Sequence, residues 1–251
     1  MNIYEFILIM FDTLEDVVSF YKKNFHDKNH IIYNEFLKNV SNIQLFHQHF
    51  MLTQGYGELP FSWNWHLIVK SMENNFNFLE VGVYKGRVLS LIKLLSKIHN
   101  KSCKITGVTP LENIGDKYSN YDNDNYYNAI KNGFQNLNLS MENVNIIKGL
   151  SQDFDVLEKL KNMDKFDIIF IDGSHDYEIV CLDIINYIPF LKDNGYFVMD
   201  DSSLYINNPG GDFKGHPDVG RAVIDILEKD NRMQELYACG HNRVWKKITS
   251  T

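Results

Sequence analysis

The chain has 251 residues, 44% of them apolar and 14% aromatic, and its 25 Lys+Arg against 32 Asp+Glu leave a formal net charge of −7. This is the composition of a folded domain with ample core material, which excludes an intrinsically disordered chain. The acidic balance argues against a nucleic acid as partner, because phosphate contacts need a clustered Lys/Arg surface that the sequence does not show.

Over the first 52 residues or so, apolar positions recur at three- and four-residue intervals: Leu14, Val17, Val18 and Tyr21, then Ile32, Phe36, Val40 and Ile43. The spacing predicts helices, and residues 1–75 are read as an N-terminal helical cap. The opening run Ile3–Phe11 is interrupted by Glu5 and lacks a basic start and a small-residue cleavage site, so it is not read as an export signal. No other stretch approaches the roughly 18 apolar residues of a membrane span. Gly55-Tyr-Gly-Glu-Leu-Pro60 breaks the pattern before an aromatic-rich helix, Phe61 to Met72.

From residue 76 to 251 the grammar changes to that of an α/β core. Strands are predicted at Phe78–Val81, Lys104–Val108, Val144–Ile147, Phe166–Ile171 and Gly195–Met199, and helices at Gly86–His99, Tyr126–Leu137, Asp153–Lys161 and Glu178–Leu191. Strands alternating with helices imply a mostly parallel sheet covered on both faces. After a Gly-containing loop, Ser202 to Asp218, come a helix from Asp218 to Glu228 and two strands, Glu235–Cys239 and Arg243–Ile248. The turn Gly240-His-Asn242 between them makes a hairpin, expected as an antiparallel C-terminal edge. Asp116 to Asn128, rich in Asn, Asp and Tyr, reads as a surface loop. Cys103, Cys181 and Cys239 show no disulfide or zinc spacing, which fits reduced thiols and a cytoplasmic location.

Two segments carry chemistry. The first, Phe78-Leu-Glu-Val-Gly-Val-Tyr-Lys-Gly-Arg87, lies where a strand ends and a helix begins. Ligands of doubly wound sheets sit there, and Gly82 and Gly86 would let backbone approach one closely. The spacing is not the GxGxxG dinucleotide pattern, and alone it also suits a plain strand-to-helix turn. In the second, Phe166-Asp-Ile-Ile-Phe-Ile-Asp-Gly-Ser-His-Asp-Tyr177 is followed by a strand ending in Met199-Asp-Asp201. Parallel neighbours would bring Asp172, Asp200 and Asp201 to one sheet edge, where their mutual repulsion calls for protons or a cation. An all-oxygen site suits a hard divalent ion, Mg²⁺ by preference. His175, three residues after Asp172, has a ring suited to taking a proton from a hydroxyl beside such an ion.

Glu80-Val-Gly82 with Tyr84-Lys-Gly86 resembles motif I of class I S-adenosylmethionine-dependent methyltransferases. The resemblance implies a Rossmann-like sheet and a cofactor whose amino-acid end lies near Glu80, Gly82, Tyr84, Lys85, Gly86 and Asp172. The family usually has an acid after the second strand for the ribose; this chain reads Gly107-Val-Thr-Pro110, so Thr109 stands there, with Glu112 nearby. Lys148-Gly-Leu-Ser-Gln-Asp153 is similar to the adenine-side segment, which implicates Ser151 and Gln152.

The second segment, with Asp200-Asp201, resembles the metal-dependent sugar O-methyltransferases of the macrocin and mycinamicin type. This implies Asp172, Asp200 and Asp201 as ligands of Mg²⁺ or Mn²⁺, and His175 with Asp172 as catalytic residues. Relatives of the pattern also carry the name cephalosporin hydroxylase, but an iron oxygenase would want two histidines and one carboxylate, and one histidine accompanies these acids. His216 and His241 rank as weaker substrate contacts, His66 as a packing residue, and Tyr177 as a residue that supports the site or packs.

The expected reaction is methyl transfer to a sugar hydroxyl. The expected acceptor is a nucleotide-activated sugar, a heptose or deoxyhexose for a bacterial surface polysaccharide or natural-product glycan, with Lys85, Arg87, Lys214 or Arg221 offsetting the acidic charge. The rivals are a nucleotide-cofactor oxidoreductase and a non-catalytic cofactor binder. The N-terminal aromatics Tyr56, Phe61, Trp63 and Trp65 could cover the cofactor or form the face of a homo-oligomer.

Overall fold

The computed structural model describes residues 11–24, 29–122 and 124–249, so most of the apolar opening run lies outside the described residues. Its centre is a seven-stranded sheet in the order β3-β2-β1-β4-β5-β7-β6. The strands are β1 (Asn75–Val81), β2 (Ser102–Thr109), β3 (Val144–Lys148), β4 (Phe166–Ile171), β5 (Leu191–Met199), β6 (Met233–Cys239) and β7 (Asn242–Lys247). The first five pair in parallel, and β7 runs antiparallel between β5 and β6. The expected antiparallel hairpin is therefore present, and its second strand is the one that joins the parallel sheet.

Side chains alternate across the sheet, as a period of two requires. Phe76, Phe78, Ile168, Phe170, Tyr196 and Val198 enter one buried cluster, and Leu79, Val81, Ile169, Ile171, Phe197 and Met199 enter the other. The first cluster takes in the N-terminal helices α1 (Leu14–Asn24), α2 (Asn29–Ser41), α3 (Gln44–Leu52) and α4 (Leu59–Ser71), together with α5 (Arg87–Ile98) and α6 (Tyr126–Asn136). Val17, Ile32, Phe36 and Val40 are fully buried in it, so the periodic positions of the cap face the sheet. Trp65 of α4 meets the edges of Phe78 and Phe170 at ring distances of 5.7 and 5.1 Å, tying cap and core into one hydrophobic unit. The other face is covered by α7 (Phe154–Lys161), α8 (Tyr177–Tyr187) and α9 (Pro217–Ala222).

Beyond shifts of one to three residues at other ends, two elements differ from the sequence reading. Helix α8 stops at Tyr187 and passes through a short 3₁₀ turn containing Pro189, so Leu191 begins β5 instead of ending the helix. Proline has no N–H for the helical ladder and disfavours helical backbone before it. The predicted helix from Asp218 to Glu228 is a short α-helix followed by a π-helical turn, Val223–Leu227.

Gly82 follows β1 at φ +97°, and a Cβ there would overlap the backbone carbonyl of Asp172. The sequence reading reserves this glycine for close approach to a ligand; the structure gives it a prior duty, letting the chain ends of β1 and β4 pass one another. Gly82→Ala should accordingly cost at least about 2 kcal/mol, from left-handed backbone and overpacking together. Urea unfolding measures the loss, and an unchanged midpoint would contradict the packing.

Candidate active site

Strand register builds the site. Val81 pairs with both Val108 and Ile171, and Ile171 with Met199. The residues that follow, Gly82, Thr109, Asp172 and Asp200, therefore emerge together at the carboxyl edge, where strand order reverses about β1. A cleft of about 740 Å³ opens there, lined by all five post-strand loops, by residues 55–58 and by His241. Every residue nominated from the sequence for catalysis, cofactor or metal lines it: Glu80, Gly82, Tyr84, Lys85, Gly86, Thr109, Ser151, Gln152, Asp172, His175, Asp200 and Asp201.

In the half formed by the loops after β1 to β3, Glu80 is 3% exposed and its Oε2 has no hydrogen-bond partner. Burial, with the Asp200 charge second, pushes its carboxyl up to about 8. Gly86 initiates α5 in left-handed conformation, φ +80°, packed against Ile130. Tyr84 stacks on Tyr56 at 5.3 Å and meets the edge of Tyr126 at 5.0 Å. Thr109 Oγ1 accepts from the N–H of Leu111 at 3.2 Å, so part of its polar capacity is spent on its own loop. Gln152 donates to Asp183 Oδ1 of α8 at 3.0 Å.

The other half concentrates acids and histidines. Burial raises the Asp172 carboxyl well above its ordinary value, and the charges of Asp200, Asp201 and Glu80 add to the shift. Asp200 is raised too, by burial first, with His241 opposing and Asp201 reinforcing. His175 bridges two carboxylates: Nδ1 lies 2.8 Å from Asp116 Oδ2 and Nε2 3.0 Å from Asp201 Oδ2. Burial alone would lower its pKa, but the hydrogen bonds and charges of Asp201 and Asp116 outweigh this and raise it.

Asp201 is clamped from both sides. Its backbone has φ +51°. His216 N–H donates to its carbonyl at 2.9 Å, Ser202 N–H donates to the His241 carbonyl at 2.9 Å, and a Cβ on Gly215 would overlap the Asp201 carbonyl. The clamp carries His216 Nε2 to 3.6 Å from Asp201 Oδ2, and His241 Nε2 to 3.3 Å from Asp200 Oδ1.

This corrects two expectations. Three histidines, not one, accompany the acids: His216 and His241 come from segments far apart in sequence, and only the fold brings them to His175. The loop of residues 110–122 is also more than surface. Asp116 Oδ1 accepts from the N–H groups of Tyr118 and Ser119 at 2.8 Å each, and Oδ2 accepts from the His175 N–H at 2.9 Å. Lys117 pairs with Asp218, and the Tyr118 ring lies 4.6 Å from that of His216. Asp116 was missed because Asx-type turns are common in Asn/Asp-rich loops, and nothing in the sequence marks one that folds over a site. His66 stacks on Trp63 at 4.5 Å, as expected of a packing residue, and Tyr177 donates to Asp225 at 3.0 Å outside the cleft lining, which favours packing over a supporting role in the site.

The donor chemistry fits a divalent cation, since adjacent carboxylates driven toward protonation by burial and mutual repulsion are what a cation would relieve. Among the described residues, the sets with ligand atoms all within 4.8 Å are Asp200–Asp201–His241 and His175–Asp201–His216. Asp172 belongs to neither, so the three acids share the cleft without closing as a cage in this conformation. The expected anion contacts are engaged elsewhere. Lys85 pairs with Asp124 at 2.7 Å, and Arg87 donates to the Thr53 carbonyl at 3.0 Å with its guanidinium over Phe50. Arg221 faces Asp218 at 3.5 Å, and Lys214 is exposed and outside the cleft lining.

Residues 79–202 match the family described as "Methyltransferase domain". An uncharacterized protein of Acanthamoeba polyphaga mimivirus is 30% identical over 167 residues, covering 63% of this chain and 66% of that protein's length. Among solved structures, the O-methyltransferase NovP superposes with a TM-score of 0.61 at 14% identity, covering 88% of this chain and 100% of NovP. MycE, a methyltransferase of the mycinamycin pathway determined with Mg and S-adenosylhomocysteine (SAH), gives 0.51 at 20% identity, covering 82% of this chain and 54% of MycE. Residues 79–202 thus belong to the methyltransferase domain family, and the chain has the fold of the O-methyltransferases among these solved structures.

Proposed function

We propose that the protein is an O-methyltransferase that moves a methyl group from S-adenosylmethionine to a sugar hydroxyl, aided by Mg²⁺ or Mn²⁺. The observation that carries this reading is the setting of His175, whose Nδ1 faces Asp116 while Nε2 faces the acids of the cleft. The cofactor supplies a methyl already activated on a sulfonium, and a divalent ion supplies a charge that acidifies the acceptor hydroxyl. Glu80, Gly82, Tyr84, Lys85, Gly86 and Asp172 would hold the cofactor's amino-acid end, Thr109 its ribose, and Ser151 and Gln152 its adenine side. Asp172, Asp200 and Asp201 would hold the cation. With the Asp201 carboxylate drawn onto the cation, the pull that favours a protonated His175 ring would fall to Asp116 alone; the neutral ring would then donate from Nδ1 to Asp116 and accept the acceptor proton at Nε2. The cleft aligns acceptor oxygen and methyl, which removes much of the entropic barrier.

The relatives support the O-methyl and metal parts of this reading, since NovP is an O-methyltransferase and MycE was determined with Mg and SAH. Three free cysteines fit a cytoplasmic setting. The nucleotide-activated form of the sugar fits the cleft least, because Lys85, Arg87 and Arg221 are engaged by other groups.

Two experiments test the proposal. Calorimetry should show SAH binding with micromolar affinity and no heat with NAD; tight NAD binding without SAH binding would favour the oxidoreductase instead. His175→Ala should lower turnover by about 10²–10⁴-fold, the usual worth of a general base, with metal affinity kept. Asp200→Asn should instead weaken activation by added Mg²⁺. If His175→Ala and His216→Ala abolish metal binding while Asp200→Asn leaves it intact, the histidines are ligands and the role given to His175 is wrong.

A further inference from the structure

Beyond the loops assigned to the cofactor, the cleft is bounded by Glu58, Tyr118, Phe213, His216 and His241. Glu58 precedes α4, lines the cleft and keeps 27% of its side chain exposed. Its Oε2 accepts the hydroxyl of Tyr33 from α2. Its Oε1 lies 3.6 Å from His241 Nδ1, beyond hydrogen-bond range, and that nitrogen, on a residue only 6% exposed, has no partner. The carboxylate is thus oriented from behind by Tyr33 and left with open accepting capacity toward the cleft. Phe213 and Tyr118, both exposed, line the same cleft: Phe213 packs on His216 and on His241, the neighbour of Glu58, at ring distances of 5.2 and 5.1 Å, and Tyr118 lies 4.6 Å from the His216 ring.

A carboxylate beside exposed aromatic faces is the combination that recognises a cation. A pyrophosphate would meet the opposite. Among the described residues, eight carboxylate side chains line the cleft against Lys85 and Arg87, and both of these already have partners. Lys117, on the covering loop, is paired with Asp218. Even with Glu80 held toward protonation and a cation on Asp172, Asp200 and Asp201, the carboxylates of Glu58, Glu112, Asp116 and Asp176 remain to oppose two phosphate charges in a partly dehydrated cleft.

We propose that this half of the cleft selects a hydroxyl compound without phosphate that carries a protonated amine, an amino sugar or its glycoside, held by Glu58. This rests on the reading of the other half as the S-adenosylmethionine site. Glu58 is a specificity residue in this account and takes no part in proton transfer.

The test uses the full chain saturated with SAH and divalent metal. It is titrated with a panel of methyl glycosides of amino sugars, the matching neutral methyl glycosides, and UDP-glucose and UDP-glucosamine, with binding read by saturation-transfer NMR and calorimetry. At least one amino glycoside should bind tenfold or more tightly than its neutral counterpart, and the UDP-sugars should not compete with it. Glu58→Gln, which keeps the Tyr33 hydrogen bond, should bring that ratio close to one while SAH affinity stays unchanged; Glu58→Asp should retain part of the preference. The proposal is overturned if no amino glycoside binds, if a UDP-sugar binds as tightly as the best of them, or if Glu58→Gln leaves the ratio intact. Failure to bind SAH would instead overturn the methyltransferase reading, so the two outcomes are separable.

Discussion

The in-register parallel pairing of β1, β4 and β5 is the constraint on which the rest depends. Val81, Ile171 and Met199 are neighbours across these strands, so the chain leaves all three at one level. The backbone pairing is strong enough, and the flanking residues apolar enough, to force Asp172 and Asp200 together despite their repulsion. Gly82 makes the crossing of the first two chain ends sterically feasible. The fold thereby holds groups that would separate in solution, and raised carboxyl pKa values are the electrostatic sign of that confinement.

The same edge organises what lies farther away. Asp201 is bent into left-handed backbone and accepts from the His216 N–H, while the next residue, Ser202, donates to the His241 carbonyl, which makes this pair the joint where the 200–216 loop and the β6–β7 turn meet. His216 and His241 reach the acids through that joint. The loop after β2 arrives from the opposite side and places Asp116 on His175. One imidazole thus contacts carboxylates on two independent elements, an arrangement that fixes ring orientation more firmly than a single partner could. The N-terminal helices contribute from a third side, since α2 supplies Tyr33 and the approach to α4 supplies Glu58.

The sequence made the sheet legible because its buried strands are short apolar runs bounded by Gly, Pro or Asp, too short for helices and alternating with helical stretches. Asp172, Asp200, Asp201 and His175 were legible for the same reason: they sit at strand ends or just beyond them. What stayed hidden depends on distant parts of the chain. Asp116 lies in a loop whose composition looks ordinary, and His216 and His241, ranked as weaker substrate contacts, follow glycines in segments where nothing pairs them with the acids. The partners of Lys85 and Arg87 were equally unreadable, because a sequence gives charge but not whether a carboxylate or a carbonyl already claims it. Gly82 was read as leaving room for a ligand, and the structure adds a second reason, the passing chain of Asp172, since both a ligand and a neighbouring chain can demand the missing Cβ.

The most direct test of the central claim is a crystal structure of the full chain grown with SAH and Mn²⁺, with anomalous differences collected for the metal. The account predicts the amino-acid end of SAH between Glu80 and Gly82, and a single anomalous peak coordinated by carboxylate oxygens of Asp172, Asp200 and Asp201, with His175 outside the coordination sphere. A peak bound by His175 and His216, or SAH lodged away from the loop after β1, would contradict it.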